Sequence, residues 1–313
     1  MNPPRPGGAE ESRRSGLKGD QMTALSLERG SAMCPDPGIY PNVPFETYVS
    51  WNALNHSTLK LMGPKTPAHF KYAIDHPEDE KTASKRLGTA IHELLLEPDR
   101  LAKRVKIGPV NPATGKCYGS ETQKWKGAEA ASPGMFLTSP EELETLHNIA
   151  DAAFAHGDLG PMLRAAGDCE VCLVWDDAYT GMRCKARIDK RVRTAVGVIR
   201  LDLKTCESAS DSDLERSVIY YGYGTQDAFY ARGCKALGLD DVGIFAAIET
   251  EPHHGVRVYR MGSESIPKYR SLVGEWLAKV KRGRETGEWP SYPEGIIDVE
   301  APEWWCKQYA TAS

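Results

Sequence analysis

The chain has 313 residues, a formal net charge of −4 and a composition that is 41% hydrophobic and 26% charged. This is the make-up of a globular protein with enough apolar surface for one large domain or two small ones. The negative balance argues against a protein that coats DNA through phosphate neutralisation, although it leaves room for an enzyme with a local basic channel.

Neither the first residues nor the apolar runs of the sequence indicate a membrane or secreted protein. No apolar run approaches the roughly 18–20 residues that span a bilayer, and the first residues lack the apolar stretch of a secretory signal. We therefore expect a cytoplasmic protein. The eight cysteines are scattered and are expected to be reduced thiols. The closest pair, Cys169 and Cys172, lacks the two further ligands of a structural zinc site.

The composition changes near residue 35. Residues 1–35 are rich in Pro, Gly, Ser, Arg and Glu, which is typical of a disordered segment. Residues 36–313 are predicted to form one domain with a helical N-terminal part and a C-terminal helix and tail.

The first half of this domain has helical periodicity. We expect a helix from about residue 57, with Ser57 as N-cap, a second over 80–96 and a third over 140–156. The second helix carries His92 beside an apolar stripe formed by Leu87, Ile91, Leu94 and Leu95. The Gly- and Pro-rich stretch 105–135 is predicted to be a long loop.

The second half alternates strands and helices. Strands are predicted over 170–175, 182–192 and 196–204, then a long helix over 212–237, a strand over 242–249 with a partner at 255–259, and a final helix over 265–282. This order indicates an α/β fold, a mixed sheet flanked by helices.

Two of these strands carry charged residues in a pattern that points to chemistry. Asp202 and Lys204 share one face of the third strand, and Asp189 lies thirteen residues earlier in the preceding strand. A turn at RTAV would bring the two carboxylates together, and a divalent cation such as Mg²⁺ would relieve their repulsion. A neighbouring lysine can then assist phosphodiester hydrolysis. Taken alone, a D-x-K pair is more often a surface ion pair.

A run of basic residues surrounds Asp189. The segment RCKARIDKRVR at 183–193 holds six basic residues and one acid. Such a run is usually a solvated face, but its position beside the carboxylates favours a basic lining of the predicted cleft.

Four short motifs occur in order: G-x-A-x-H ending at His92, R-x-D ending at Asp189, D-x-K-T at 202–205 and Q-x-x-x-Y at 226–230. Together they resemble the RecB-type branch of the PD-(D/E)xK nucleases, and within it the phage and prophage exonucleases of the exodeoxyribonuclease VIII type. The resemblance covers roughly residues 38–270 and implies a restriction-endonuclease-like core.

The resemblance also implies roles for individual residues. His92, Asp189, Asp202 and the backbone carbonyl of Leu203 would bind Mg²⁺, with Mn²⁺ expected to substitute, and Lys204 would be the catalytic lysine. Glu170 is a further candidate metal ligand, or else an exposed strand residue. Contacts to DNA would come from Arg187, Thr205, Gln226 and Tyr230. Taken alone, His92 would more often be an ordinary helix histidine, whereas the motif series favours a metal ligand. Gln226 and Tyr230 could be ordinary helix surface. Cys206 and Cys234 lack the neighbours of an iron–sulfur cluster.

The activity that the resemblance implies is that of a metal-dependent exonuclease on double-stranded DNA ends. It would degrade the 5′-ended strand, leave a 3′ single strand for an annealing or recombinase partner, and assemble as a ring of identical subunits. Two alternatives stay open, namely a flap or single-strand nuclease and a catalytically inactive DNA-binding subunit.

Overall fold

A computed structural model describes residues 33–63, 65–76, 83–195, 197–303 and 306. The predicted disorder of the N-terminal segment therefore lies mostly outside the described residues. No helix among those described is both long and apolar enough to cross a bilayer.

The centre of the fold is a six-stranded sheet in the order β1-β4-β5-β6-β7-β8. Its strands are β1 (Gly38–Tyr40), β4 (Gly167–Asp176), β5 (Arg183–Thr194), β6 (Gly197–Cys206), β7 (Asp241–Glu249) and β8 (Val256–Tyr259). The β6–β7 pair is parallel and the other pairs are antiparallel. This mixed sheet confirms the predicted α/β class. A separate parallel pair joins β2 (Val105–Ile107) to β3 (Phe136–Thr138).

Eleven α-helices are found in the described part of the chain. They are α1 (Phe45–Ser50), α2 (His56–Leu59), α3 (Pro67–Asp75), α4 (Ala83–Leu96), α5 (Pro98–Arg104), α6 (Gln123–Ala130), α7 (Pro140–Ala155), α8 (Leu159–Arg164), α9 (Asp211–Tyr221), α10 (Tyr223–Ala236) and α11 (Ile266–Thr286).

Two hydrophobic clusters hold these helices on the sheet. One joins α3, α10 and α11 to β4 and β5 around Trp175 and Phe229. The other joins α4, α7 and α8 to β6 and β7 around Leu146 and Leu201. The predicted stripe of α4 is confirmed, because Ile91 and Leu95 are buried in the second cluster and Leu87 and Leu94 pack against it.

Several local predictions were wrong. Helix α2 is capped by Asn55, whose side chain accepts the Thr58 N–H at 2.8 Å, and not by Ser57. The stretch 105–135 contains β2 and α6, whose N-cap Thr122 accepts the Trp125 N–H. The long helix over 212–237 is two helices, divided where Gly222 adopts a left-handed φ of 73°.

Candidate active site

Asp189 lies where the pairing of β5 with both its neighbours is interrupted. The β5–β6 ladder runs from Thr194↔Gly197 only as far as Lys190↔Leu201. The β4–β5 ladder passes from Cys169↔Lys190 directly to Val171↔Ile188. The Asp189 carboxylate accepts the backbone N–H of Leu203 at 2.7 Å. A side chain thus replaces a backbone partner at this point and keeps the carboxylate at the break between the strands.

Helix α4 brings His92 to the same point. Its Nδ1 lies 3.6 Å from Asp189 Oδ2, and the ring is hydrogen-bonded to the backbone of Leu203. Burial lowers the pKa of His92, and the positive charge of Lys204 lowers it further. The imidazole is therefore held in the neutral form that binds metal ions.

Glu170 completes this cluster through an unusual backbone conformation. It lies within β4 but has a φ of +53°, a left-handed conformation that costs a residue with a side chain about 1–2 kcal/mol. One ligand atom from each of Glu170, His92 and Asp189 lies within 4.8 Å of the others. Strain at a point where acidic and imidazole ligands converge indicates a functional constraint.

Arg187 holds Glu170 in place. Its Nε donates to Glu170 Oε2, and its Nη1 donates to the carbonyl of Val43 at 2.8 Å. The side chain is only 11% exposed. The phosphate contact predicted for Arg187 does not fit these contacts, because the guanidinium is turned to partners within the protein.

Asp202, Lys204 and Gln226 form a second group beside the cluster. Gln226 on α10 donates from Nε2 to Asp202 Oδ1 at 2.8 Å and accepts from Lys204 Nζ at 3.1 Å. Lys204 Nζ lies 2.5 Å from Asp202 Oδ2. The angles of that ion pair are not those of a hydrogen bond, and within the described chain this buried oxygen accepts none. Gln226 thus fixes the carboxylate and the ammonium relative to each other.

The donor set fits a divalent cation. Burial raises the pKa of Asp189 well above its ordinary value, and the neighbouring Asp202 carboxylate raises it further. A cation relieves this penalty by neutralising the charge. Carboxylate oxygens with one imidazole suit Mg²⁺, Mn²⁺ and related ions. The buried Oδ2 of Asp202 accepts no hydrogen bond, and its charged neighbour is the Lys204 ammonium, so it has lone pairs to offer such an ion. Glu170 therefore belongs with His92 and Asp189, whereas Asp202 adjoins them.

The remaining predicted residues have different positions. Thr205 follows Lys204 in β6 and lines the same cleft, and a Cβ on Gly88 would come within 3.2 Å of its Oγ1. The glycine of the G-x-A-x-H motif therefore permits the close approach of α4 to β6. Tyr230 packs against the first hydrophobic cluster, and burial raises its pKa well above the ordinary value. Its phenol is turned towards Gln226 rather than towards open solvent.

The basic residues of segment 183–193 are paired within the protein, which does not fit the basic cleft lining predicted for them. Lys185 is buried and donates to the carbonyls of Tyr48, Val49 and Trp51 at the end of α1. The other five basic residues also have partners within the protein. Four of them form ion pairs, namely Arg183 with Asp176, Arg187 with Glu170, Arg191 with Asp241 and Arg193 with Asp168. The fifth, Lys190, donates a hydrogen bond to the Leu163 carbonyl. These charges therefore have partners within the fold.

Sequence reasoning missed two neighbours of Lys204. The Tyr223 ring lies beneath its ammonium, 4.7 Å from centroid to Nζ. Lys60 is the second neighbour. Burial is the main cause that lowers the pKa of Lys60, and the positive charge of Lys204 lowers it further. The signal for Tyr223 was its place in the run YYGYG, just before the Q-x-x-x-Y motif.

A family model described as a PDDEXK-like domain of unknown function matches residues 55–300. No curated protein matches the chain. The fold resembles the crystal structure of a candidate exonuclease from Eubacterium rectale, with a TM-score of 0.53 and 16% identity over 82% of this chain and 93% of that one. A structure of the protein SSO0001 aligns over 62% of this chain and 83% of its own, at 14% identity and a TM-score of only 0.26.

A mixed sheet with acidic residues and a lysine at the break between two central strands defines a nuclease-type core, and the match to the family model agrees with it. The chain belongs to the PDDEXK-like family, within the PD-(D/E)xK nuclease superfamily. Family and fold together support a nuclease.

Proposed function

We propose that this protein is a metal-dependent exodeoxyribonuclease that acts on the ends of double-stranded DNA. The observation that carries the proposal is the convergence of His92, Glu170 and Asp189 beside Lys204, which Asp202 and Gln226 hold in place. The direction, from 5′ to 3′ with a 3′ single strand as product, follows the resemblance of the motifs to exodeoxyribonuclease VIII-type enzymes.

The metal is proposed to be Mg²⁺, with Mn²⁺ as a substitute. His92, Glu170 and Asp189 would hold it, with Asp202 and the Leu203 carbonyl as additional donors. When bound, the cation supplies positive charge that polarises the scissile phosphate and favours water as a nucleophile.

Lys204 has the geometry to act on the phosphate. An ammonium has three N–H donors, of which Lys204 donates one to Gln226, and the Asp202 carboxylate neutralises its charge as an ion pair. A further N–H can donate to a non-bridging phosphate oxygen or to the attacking water. Because Asp202 and Gln226 fix the ammonium before substrate binds, it stabilises the developing negative charge with little reorganisation.

The biological setting is proposed from the same resemblance. The 3′ strand would pass to a single-strand annealing or recombinase protein in DNA recombination in the cytoplasm of a bacterial or phage-infected cell. Identical subunits would form a ring around DNA. A negative chain can still line such a ring with local positive charge.

The test is hydrolysis of linear duplexes labelled at either the 5′ or the 3′ end, with Mg²⁺, Mn²⁺ or chelator. We expect metal-dependent release of 5′-terminal nucleotides. Asp202→Asn and Lys204→Ala should each lower the rate on the order of a thousandfold or more, because the first removes a proposed metal ligand and the second the proposed catalytic lysine.

The matched controls are Asp151→Asn and Lys103→Ala, which make the same changes at exposed helix positions outside the site. They should retain wild-type rates. Near-wild-type hydrolysis by Lys204→Ala would show that Lys204 is not the catalytic lysine. Release of nucleotides from the 3′ end alone would show that the enzyme works from 3′ to 5′. DNA binding without hydrolysis under every metal would favour an inactive subunit.

A further inference from the structure

Helix α9 is unusual because none of its residues is buried. Its last turn presents three large apolar side chains to solvent: Ile219 is 71% exposed, Tyr220 83% and Tyr221 49%. Exposed aromatic residues at a helix end require an explanation other than packing within this chain.

A row of aromatic rings connects this turn to the active site. Near-parallel rings follow one another from Tyr259 to Phe245 at 5.4 Å, from Phe245 to Tyr223 at 6.2 Å and from Tyr223 to Tyr221 at 5.6 Å. Tyr220 meets Tyr221 edge to face at 5.0 Å. Lys204 Nζ lies over the Tyr223 ring. The row thus runs from the buried core, past the proposed catalytic lysine, to solvent.

A cleft of about 530 Å³ follows the same direction. It is lined by Lys204 and Thr205 at the active site and by Arg216, Ser217 and Tyr221 on α9. Lys60 lies near the same end, where its Nζ donates to the Tyr221 carbonyl at 3.5 Å. Three acids, Glu207, Asp213 and Glu251, also line the cleft, and Asp213 pairs with Arg216. The positive charge is therefore concentrated at the active-site end, where the ammonium groups of Lys204 and Lys60 lie beside Tyr223 and Tyr221. Ring faces next to a positive charge are a combination that binds single-stranded nucleic acid.

We propose that Tyr220 and Tyr221 form a stacking platform for unpaired bases of the strand that enters the active site, so that the phosphate next to them reaches Lys204. This inference rests on the proposed nuclease function. A second copy of this chain is the less favoured occupant, because three side chains on one helix turn fall far short of the roughly 800 Å² per partner of a stable interface.

The test measures binding separately from cleavage. Fluorescence anisotropy in chelator compares a short single-stranded oligodeoxynucleotide with the same backbone carrying abasic residues. Tyr220→Ala should weaken binding of the base-bearing strand roughly five- to a hundredfold, the range for loss of one stacked base. It should leave binding of the abasic strand unchanged. Tyr220→Trp should restore binding, and Tyr220→Leu should not.

Tyr179→Ala is the matched control, since Tyr179 is 84% exposed but lies in the β4–β5 turn, about 20 Å along β4 from Glu170. Its binding should equal that of the wild type. Equal loss for both oligonucleotides, or no loss, would overturn the platform while leaving hydrolysis of duplexes intact. If sedimentation shows that Tyr220→Ala changes the oligomeric state, and binding of the base-bearing strand is unchanged, this turn is instead a contact between copies of the chain. If the wild type hydrolyses no DNA, the proposed function fails, and base-dependent binding still reports on the platform.

Discussion

Glu170 has the clearest conflict between backbone and side chain in the proposed site. Its left-handed φ favours glycine, but its carboxylate is one of the three converging metal ligands. The protein therefore gives up stability at this residue to hold a ligand.

This conflict predicts an inverted order of stability. Glu170→Gly and Glu170→Ala both remove the carboxylate, but the glycine variant should be more stable by about 1 kcal/mol because only alanine retains the strain. The free energy of unfolding from urea denaturation measures the difference. At Asp168, two residues earlier in β4 with an ordinary φ, alanine should be the more stable replacement. An alanine variant of Glu170 as stable as the glycine variant would show that the strain is absent.

Gln226 is predicted to act through its neighbours. Gln226→Ala removes the bridge between Asp202 and Lys204, so kcat should fall roughly tenfold to a hundredfold while KM changes little, a smaller loss than for Lys204→Ala. Steady-state kinetics at saturating metal measure both constants. A rise in KM with kcat unchanged would mean that Gln226 binds DNA directly.

His56 makes stability depend on pH. It is buried, its Nε2 lies 3.0 Å from Thr225 Oγ1, and burial lowers its pKa to about 3, with further lowering from Lys60 and Lys204. The folded pKa lies below the unfolded value near 6.5, so the unfolded chain takes up the proton first. The contribution of His56 is complete above about pH 6.5 and is lost as the pH falls towards 3.

We therefore expect the free energy of unfolding of the wild type to fall by about 2 kcal/mol between pH 7 and pH 5 through this residue alone. His56→Gln should lose less over the same interval, as measured by urea denaturation at both values. If the free energy of unfolding falls equally with pH in the two proteins, His56 is not held neutral by burial.

At the level of residues, the sequence predicted correctly that the site residues lie close together. It did not predict the individual partners of each side chain. The thirteen-residue spacing and the RTAV turn led correctly to adjacent strands for Asp189 and Asp202, because a short hairpin fixes the register. Nothing in the sequence indicates a left-handed glutamate, since glutamate rarely adopts that conformation. The partners of the six basic residues depend on acids and carbonyls that are distant in the chain, so local pattern could not identify them.

Among the elements, the break between α9 and α10 has the greatest effect on the site. Gly222 ends α9 in a left-handed conformation and begins α10, which carries Gln226. Because α9 and α10 change direction at this residue, the aromatic end of α9 projects into solvent while α10 packs on the sheet.

Gly222→Ala should destabilise the protein by at least 1–2 kcal/mol, because the left-handed φ is strained and the new Cβ would lie 3.0 Å from Thr225 Oγ1. Activity should fall as Gln226 shifts. Gly127→Ala is the control: its Cβ in α6 would meet nothing within 4 Å, so the helix should gain roughly 0.5–1 kcal/mol. Thermal unfolding and nuclease assays on both variants test the pair, and a neutral Gly222→Ala would argue for a continuous helix.

The elements that sequence reasoning misplaced have weak or ambiguous local patterns. The run YYGYG contains two glycines within otherwise helical periodicity, and periodicity alone does not reveal which glycine turns the chain. Helix α6 has little amphipathic pattern because it buries mainly Trp125, so composition suggested a loop.

For the whole molecule, residues shortly after Met33 contact other parts of the described fold. The carbonyl of Pro35 accepts a hydrogen bond from Arg183, and the Asp36 carbonyl accepts one from the Tyr40 hydroxyl at 2.7 Å. A protein that starts at Met33 should therefore keep its melting temperature and activity. One that starts at Gly38 loses both contacts and should melt several degrees lower. A large loss for the Met33 protein would show that residues 1–32 contribute to the fold.

Lys185 has a consequence for synthesis of the chain. Its ammonium caps the C-terminal carbonyls of α1, and its partner Trp51 precedes it by 134 residues. At translation rates of roughly 5–20 residues per second, α1 leaves the ribosome on the order of ten seconds before the lysine that caps it. Strand β1 is likewise synthesised before its partner β4, and His92 before Asp189. During synthesis β1, α1 and α4 therefore lack these later partners, and no nascent chain that ends before β6 has the proposed active site.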